Sequence, residues 1–327
     1  SAPRPPFLGS GAGSQADALR VPLREMPLRG QGGGMASATE RPSFLLRLGT
    51  FVRFSHTVFA LPFALIAMLV AGQGRVALPV FGWILGCMVC ARTAAMCFNR
   101  IADWEFDKLN PRTADRHTLV TKPQAWVVLL AGSLGAIACS ARLNPLCFRL
   151  SPLMLAIIFF YSLTKRFTPY SHLFLGLALS VAPMGAWAAV TGSLFASPVP
   201  SALAFAVLCW TFGFDLIYST LDADFDRSRN LFSFPSRFGI PATLRLAKGL
   251  HLAASLGFAA FGALSGMGPA FWGAFAITLI ALVWEHRLAA SADPGQINRA
   301  FFQINALVSL TLLAGVCVHF RLWTLLA

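Results

Sequence analysis

Eight of the thirteen carboxylates in this 327-residue chain stand in two short stretches. The first holds Asp103, Glu105, Asp107 and Asp115; the second holds Asp215, Asp222, Asp224 and Asp226. Asp103 and Asp107 are four residues apart, as are Asp222 and Asp226, so each pair is expected on one face of a helix. The two pairs are also in register: Asn99, Asp103 and Asp107 overlay Tyr218, Asp222 and Asp226 at an offset of 119 residues. That offset implies an internal repeat of about four helices. Like charges at this spacing repel by roughly 0.2–0.5 kcal/mol, and burying them unpartnered near a bilayer costs far more. Something positive should therefore sit between the clusters. Acids at helix ends can also be solvated, or can pair with Arg100, Arg112, Arg227 or Arg229. Two matched clusters that hold most of the chain's acids argue for more than that. Paired carboxylates with the amide oxygen of Asn99 suit a hard divalent cation such as Mg²⁺, which shares its shell with substrate phosphates. Arg112 and Arg116 in one loop, Lys165 and Arg166 in the next and Arg237 in a third supply the charge a phosphate needs. No P-loop and no glycine fingerprint after a strand is present, so a nucleotide is not implied. The chemistry indicated is a diphosphate carried by an apolar group.

The elements that must position these residues follow from composition. The chain is 56% hydrophobic and 12% charged, with a mean hydropathy of +0.66. Soluble domains carry roughly a quarter of their residues as charges, so soluble, disordered and disulfide-rich secreted folds are excluded. The apolar runs are continuous, unlike the short alternating segments of a barrel. They divide into about nine segments of helix-spanning length, near 54–72, 79–99, 124–141, 146–164, 172–191, 201–220, 246–264, 269–287 and 301–322. The expected fold is an all-α polytopic membrane protein. With the N-terminus cytoplasmic, seventeen Lys and Arg from residue 35 onward fall on the cytoplasmic side and four on the other. That asymmetry sets the orientation and explains the net charge of +13 without nucleic acid. It also puts both acid clusters at the cytoplasmic ends of spans.

Residues 1–34, rich in Gly, Pro, Ser and Arg, read as a disordered leader, with translation starting at Met26 or Met35. Residues 35–327 read as one domain, entered through an interfacial helix near Glu40–Arg53. The seven cysteines form no paired framework. Cys87 and Cys90, with Cys97 nearby, read as small apolar packing residues.

At the acid motifs the chain resembles the UbiA superfamily of membrane prenyltransferases. NRIADWEFD (99–107) with KLNPRTADRH (108–117) is similar to the first aspartate motif. FDLIYSTLDADFDR (214–227) with SRNLFSFPSRFG (228–239) is similar to the second. YSLTKR (161–166) resembles the family's loop motif. FSHTVFALPFAL (54–65) and SHLFLGLALSVAPMGAWAAVTG (171–192) resemble the branch that prenylates 4-hydroxybenzoate, which includes the futalosine-route menaquinone enzyme. The resemblance covers about residues 44–325. It departs at HTLVTKPQ (117–124), where the family continues into a short Leu/Pro–Gly turn.

The resemblance implies transfer of a polyprenyl group from an isoprenyl diphosphate to a ring carbon of an aromatic acid, in ubiquinone or menaquinone synthesis. Asp103, Asp107, Asp222 and Asp226 with Asn99 would bind Mg²⁺. Arg112, Lys165, Arg166, Arg116 and Arg237 would neutralise the leaving diphosphate. Phe98, Tyr161, Tyr218 and Phe54 are the aromatic faces for an allylic cation. Asp215 is the carboxylate for acceptor handling, and Arg92, two turns before Asn99, either binds an acceptor carboxylate or pairs with Asp215. His56 and His172 read as hydrogen-bonded interfacial histidines, and His251, His286 and His319 as incidental. The expected setting is a bacterial plasma membrane with the site facing the cytoplasm, without an obligate protein partner. Haem, chlorophyll and archaeal-lipid prenylation are the alternatives within the superfamily; a transporter and a non-catalytic scaffold are those outside it.

Overall fold

The computed structural model describes residues 43–109, 113, 115–291 and 293–321, without the side chains of 54–56 and 300. No strand occurs among the described residues. A short helix α1 (Phe44–Phe51) and a 3-10 segment (Phe54–Phe59) lead into α2 (Leu61–Ala71). Then come α3 (Leu78–Ala102), two short helices α4 (Trp104–Leu109) and α5 (Arg116–Leu119), and α6 (Lys122–Leu143), α7 (Pro145–Thr164) and α8 (Ser171–Thr191). The order then recurs: α9 (Val199–Ser219), the short helices α10 (Ala223–Ser228) and α11 (Phe234–Phe238), and α12 (Ile240–Leu264), α13 (Pro269–Ala290) and α14 (Pro294–His319). A long helix, two short ones and three more long ones make up each half, which is the four-helix repeat that the acid register implies. Prolines stand in the first turn of all eight long helices except α8, where a missing N–H has no cost and φ is already helical.

Eight helices among the described residues are long and apolar enough to cross a bilayer: α3, α6, α7, α8, α9 with its continuation to Ser228, α12, α13 and α14. The expected first span, 54–72, does not form one helix. Arg53 takes φ 47°, a 3-10 segment follows, and Pro62 opens α2 as a new helix. The 11 residues of α2 reach about 16 Å at 1.5 Å per residue, against a hydrocarbon core of roughly 30 Å. Helix length gives eight candidate spans among the described residues, and a shorter apolar helical segment, Thr57–Ala71, stands where the first of the nine was expected. Helix α2 is apolar on every side because it is enclosed: Phe63, Ala64, Ile66 and Ala67 are at most 1% exposed, and it packs on α8 and α14. Helix α1 occupies the place expected for an interfacial helix. Its Leu45 and Leu46 are exposed while Phe51 packs with Ala94, Cys97 and Leu129.

The two motif helices have matching partners, α3 packing on α6 and α9 on α12. Lipid tails are as apolar as leucine, so such contacts depend on close fit more than on exclusion of water. Small residues provide that fit. A Cβ on Gly132 of α6 would stand 2.9 Å from the Cys90 carbonyl oxygen of α3. Where α8 meets α9, a Cβ on Gly176 would stand 2.6 Å from the backbone oxygen of Leu208. The CxxC belongs to this packing: Cys87 Sγ lies 3.5 Å from Ser140 Oγ on α6. Gly176→Val should lower the midpoint of thermal unfolding in detergent by several degrees, the overpacking cost being about 1–3 kcal/mol. An unchanged midpoint would refute the close α8–α9 contact.

Candidate active site

Each acid motif sits where its long helix breaks. Asp103 ends α3 with φ −94° and ψ 13°, and Asp222 precedes α10 with φ −106° and ψ 3°. Both occupy the sparsely used bridge region of backbone space. Both pairs straddle a change of helix: α3 ends at Ala102 ahead of Asp103, and a 3-10 turn over Thr220–Asp222 separates α9 from α10. Helical bonding still links the first pair, the Asp107 amide donating to the Asp103 carbonyl at 2.7 Å.

A cavity of about 280 Å³ opens between these two breaks. Of the fourteen site residues expected from the sequence, twelve line it: Arg92, Asn99, Asp103, Asp107, Arg116, Tyr161, Lys165, Arg166, Asp215, Tyr218, Asp222 and Asp226. Arg112 lies outside the described residues. Arg237 is exposed on α11 and does not line the cavity. Phe98 does not line it either; its ring stacks on Phe159 at 4.8 Å. The side chains of Phe54 and His56 are outside the description.

The positive charge expected between the clusters comes from two adjacent residues that follow α7. Lys165 Nζ is 3.7 Å from Asp226 Oδ2 in the second motif, and Arg166 Nη2 is 4.0 Å from Asp103 Oδ1 in the first. Hydrogen bonds to backbone carbonyls tie this segment to both motifs: the Arg166 guanidinium donates to the Ala102 carbonyl, and the Phe232 amide donates to the Lys165 carbonyl at 2.8 Å. One turn earlier, Ser162 Oγ accepts from Asn99 Nδ2 at 3.3 Å, and the same Nδ2 reaches Asp103 Oδ2 at 3.4 Å. Asp107 is held on both oxygens, by Arg116 at 2.9 Å and by Arg100 at 3.5 Å. Arg100, considered in the sequence only as a neutralising neighbour, is buried at 6% exposure. Arg227 pairs locally with Asp224.

These surroundings shift the ionisations. Burial pushes the Asp103 carboxyl up to about 6, against the opposing pull of Lys165. Burial also opposes the charge on Lys165, but Asp226, Asp222, Asp215 and Asp103 together outweigh it and hold the ammonium above its ordinary range. Arg116 is lowered to about 10 by burial and by the like charge of Arg100.

Among the described residues no three His, Cys, Asp or Glu side chains gather closely enough to enclose a metal ion. The four expected aspartate ligands therefore form no closed cluster, and both oxygens of Asp107 are engaged by Arg100 and Arg116. The donor set still fits Mg²⁺. It is all oxygen, and Mg²⁺ commonly takes one or two carboxylates with substrate phosphates rather than a closed protein cage. Asp226 Oδ2 is buried without a hydrogen bond and has only the Lys165 ammonium, at 3.7 Å, facing it among the described residues.

Deeper in the cavity, His172 Nδ1 lies 2.6 Å from Asp215 Oδ2. Asp215 thus pairs with His172 rather than with Arg92, whose Nε is buried without a partner. The Tyr218 ring stacks on Phe301 with centroids 4.0 Å apart, and Phe59 and Phe214 complete an aromatic wall. The reading of the sequence missed Arg53, Ser171 and Phe301 as lining residues. Of these only Arg53 carried a usable signal, as a cation at the entrance to the first apolar segment. His251 and His286, read as incidental, lie 3.0 Å apart, with His251 buried beside Glu285 and His286 half-buried, away from the cavity lining.

The fold and the site define a helical bundle of membrane-spanning segments with a cavity lined by acids and bases where two motif helices end. The comparisons identify the family. The model of the UbiA prenyltransferase family matches residues 60–307. A 4-hydroxybenzoate octaprenyltransferase of Burkholderia vietnamiensis is 31% identical over 266 residues, covering 78% of this chain and 87% of that protein. A 4-hydroxybenzoate solanesyltransferase of Synechocystis is 29% identical, covering 77% of this chain and 87% of its own length. Among solved structures, an apo UbiA homologue from Aeropyrum pernix superposes with a TM-score of 0.74 at 34% identity, covering 80% of this chain and 97% of that one. The chain belongs to the UbiA prenyltransferase family and is a prenyltransferase.

Lys165→Met should leave Asp226, whose side chain is 3% exposed, without its cation, at a cost of about 1–3 kcal/mol. Thermal unfolding should show that loss, and Lys165→Met combined with Asp226→Leu should recover most of it. Additive losses would mean that the two residues do not act as a pair.

Proposed function

We propose that this prenyltransferase moves a polyprenyl group from an isoprenyl diphosphate to a ring carbon of an aromatic acid, 4-hydroxybenzoate or a dihydroxynaphthoate, in quinone synthesis. The observation that carries the proposal is the convergence of both acid motifs and the Lys165–Arg166 step on one cavity. The relatives named as 4-hydroxybenzoate polyprenyltransferases support the aromatic acceptor. The site then faces the cytoplasm of a bacterial plasma membrane, a reading supported by the distribution of Lys and Arg between the loops.

Asn99, Asp103 and Asp107 from the first half and Asp222 and Asp226 from the second are the residues that would hold Mg²⁺. When bound, Mg²⁺ supplies the positive charge that draws a diphosphate to these carboxylates and favours its departure. Arg116, Lys165 and Arg166 carry fixed positive charge to the same leaving group, with Arg112 and Arg237 as further candidates. Because they are already placed by ion pairs, little reorganisation is needed as negative charge builds. Tyr161 and Tyr218 line the cavity and offer ring faces to the allylic cation. Arg92, with its unpartnered Nε, is the residue for the acceptor carboxylate, and Asp215 handles the acceptor's proton.

The test is prenyl transfer by membranes that contain the chain, supplied with labelled geranyl or farnesyl diphosphate, Mg²⁺ and either acceptor. A lipid-soluble aromatic product that disappears with EDTA is expected; well-inserted protein that yields no product with either acceptor would overturn the reading. Asp103→Ala and Asp226→Ala should each reduce turnover by at least about 10³-fold while the protein still inserts. Near-normal turnover in either would remove that motif from the site.

A further inference from the structure

The internal repeat is strict at the aspartates and breaks one step deeper. At the offset of 119 residues, Asp215 corresponds to Met96 and Arg92 to Thr211. Met96 and Asp215 both line the cavity, so equivalent positions present a thioether from one half and a carboxylate from the other. A symmetric pair of motifs suits the two halves of a diphosphate site. The asymmetric layer beneath it has a different task, and Asp215 is the lining carboxylate that belongs to neither aspartate pair.

Asp215 is held by a dedicated partner. His172, the second residue of α8, is 1% exposed, and its Nδ1 lies 2.6 Å from Asp215 Oδ2. Two acceptors at that distance would repel, so Nδ1 carries the proton and donates it to the carboxylate. His172 Nε2 is buried and has no partner, so the pairing with Asp215 is the side chain's one hydrogen bond among the described residues. Asp215 keeps 20% of its side chain exposed, and no hydrogen bond reaches its Oδ1 among the described residues. A carboxylate fixed through one oxygen presents the other in a single orientation.

Resting on the aromatic-transfer reading above, we infer that His172 is a positioning residue that fixes Asp215 so that Oδ1 takes the ring proton of the acceptor. In that reaction the C1–O bond of the donor breaks and its electron pair leaves with the diphosphate. A ring π pair of the acceptor forms the new C–C bond. The C–H bond at the same ring carbon then breaks, its electron pair restores aromaticity, and the proton passes to Asp215 Oδ1. His172 touches no reacting atom; it supplies the orientation that a general base requires.

The experiment measures steady-state transfer and the primary isotope effect with acceptor deuterated at the prenylated ring carbon. It uses the full chain in membranes and the variants His172→Leu, His172→Gln, His172→Asn, Asp215→Asn and the double variant Asp215→Asn with His172→Leu. His172→Leu should lower kcat about 10- to 100-fold, as for loss of a hydrogen bond to a charged group, and should raise the isotope effect. His172→Asn puts an N–H where Nδ1–H stood and should restore both, whereas His172→Gln moves its donor one bond outward and should not. The double variant should be no slower than Asp215→Asn alone. Unchanged kcat in His172→Leu and His172→Gln would overturn the inference. So would a fall in kcat with no change in isotope effect and no rescue by Asn, the pattern of a purely structural histidine. No product from the unaltered protein would overturn the parent reading, and this one with it. Product from the unaltered protein with unaltered turnover in the variants would overturn this inference alone.

Discussion

Carboxylates gathered at the end of an apolar bundle must be neutralised, and the site is organised by how that is done. Lys165 and Arg166 are neighbours in sequence, yet one faces Asp226 and the other Asp103. A two-residue step after α7 therefore joins the halves of the repeat electrostatically. The Phe232–Lys165 backbone bond and the Ser162–Asn99 bond fix the step in place.

The helix breaks at Asp103 and Asp222 serve the same requirement. The chain takes nearly the same backbone conformation at both first aspartates, and α4 and α10 just beyond them contribute Asp107 and Asp226 to the cavity lining. The long helices can hold these breaks in register because glycines such as Gly132 and Gly176 bring backbones into contact. Close packing on a scaffold of eight long helices thus fixes where a few charged side chains meet.

Much of this was legible in the sequence because bilayers make it so. Apolar runs give the helices, the scarcity of acids makes their clustering conspicuous, and the register of Asn99–Asp103–Asp107 with Tyr218–Asp222–Asp226 exposes the repeat. Twelve of fourteen expected residues line the cavity for that reason. What was not legible depends on backbone geometry or on contacts between distant helices. Hydropathy does not distinguish one long helix over 54–72 from a 3-10 segment and a short enclosed helix. The i,i+4 spacing of the acids reads as continuous helix, although both helices break there. His172 and Asp215 are 43 residues apart, and nothing local to either marks the other. Arg237 carries the charge expected of a phosphate ligand, but the cap and turn of α11 leave it exposed.

The central claim is that the two acid motifs act as one site on one diphosphate. The most direct test is a double-mutant cycle on Mg²⁺-dependent binding of a non-hydrolysable isoprenyl thiodiphosphate, measured by titration calorimetry on the purified protein. Asp103→Ala and Asp226→Ala should each weaken binding strongly, and the double variant should bind no more weakly than the poorer single one, since either loss already disables the shared site. Additive losses, or metal-dependent binding retained in one of the single variants, would show that the motifs work independently and would contradict the account.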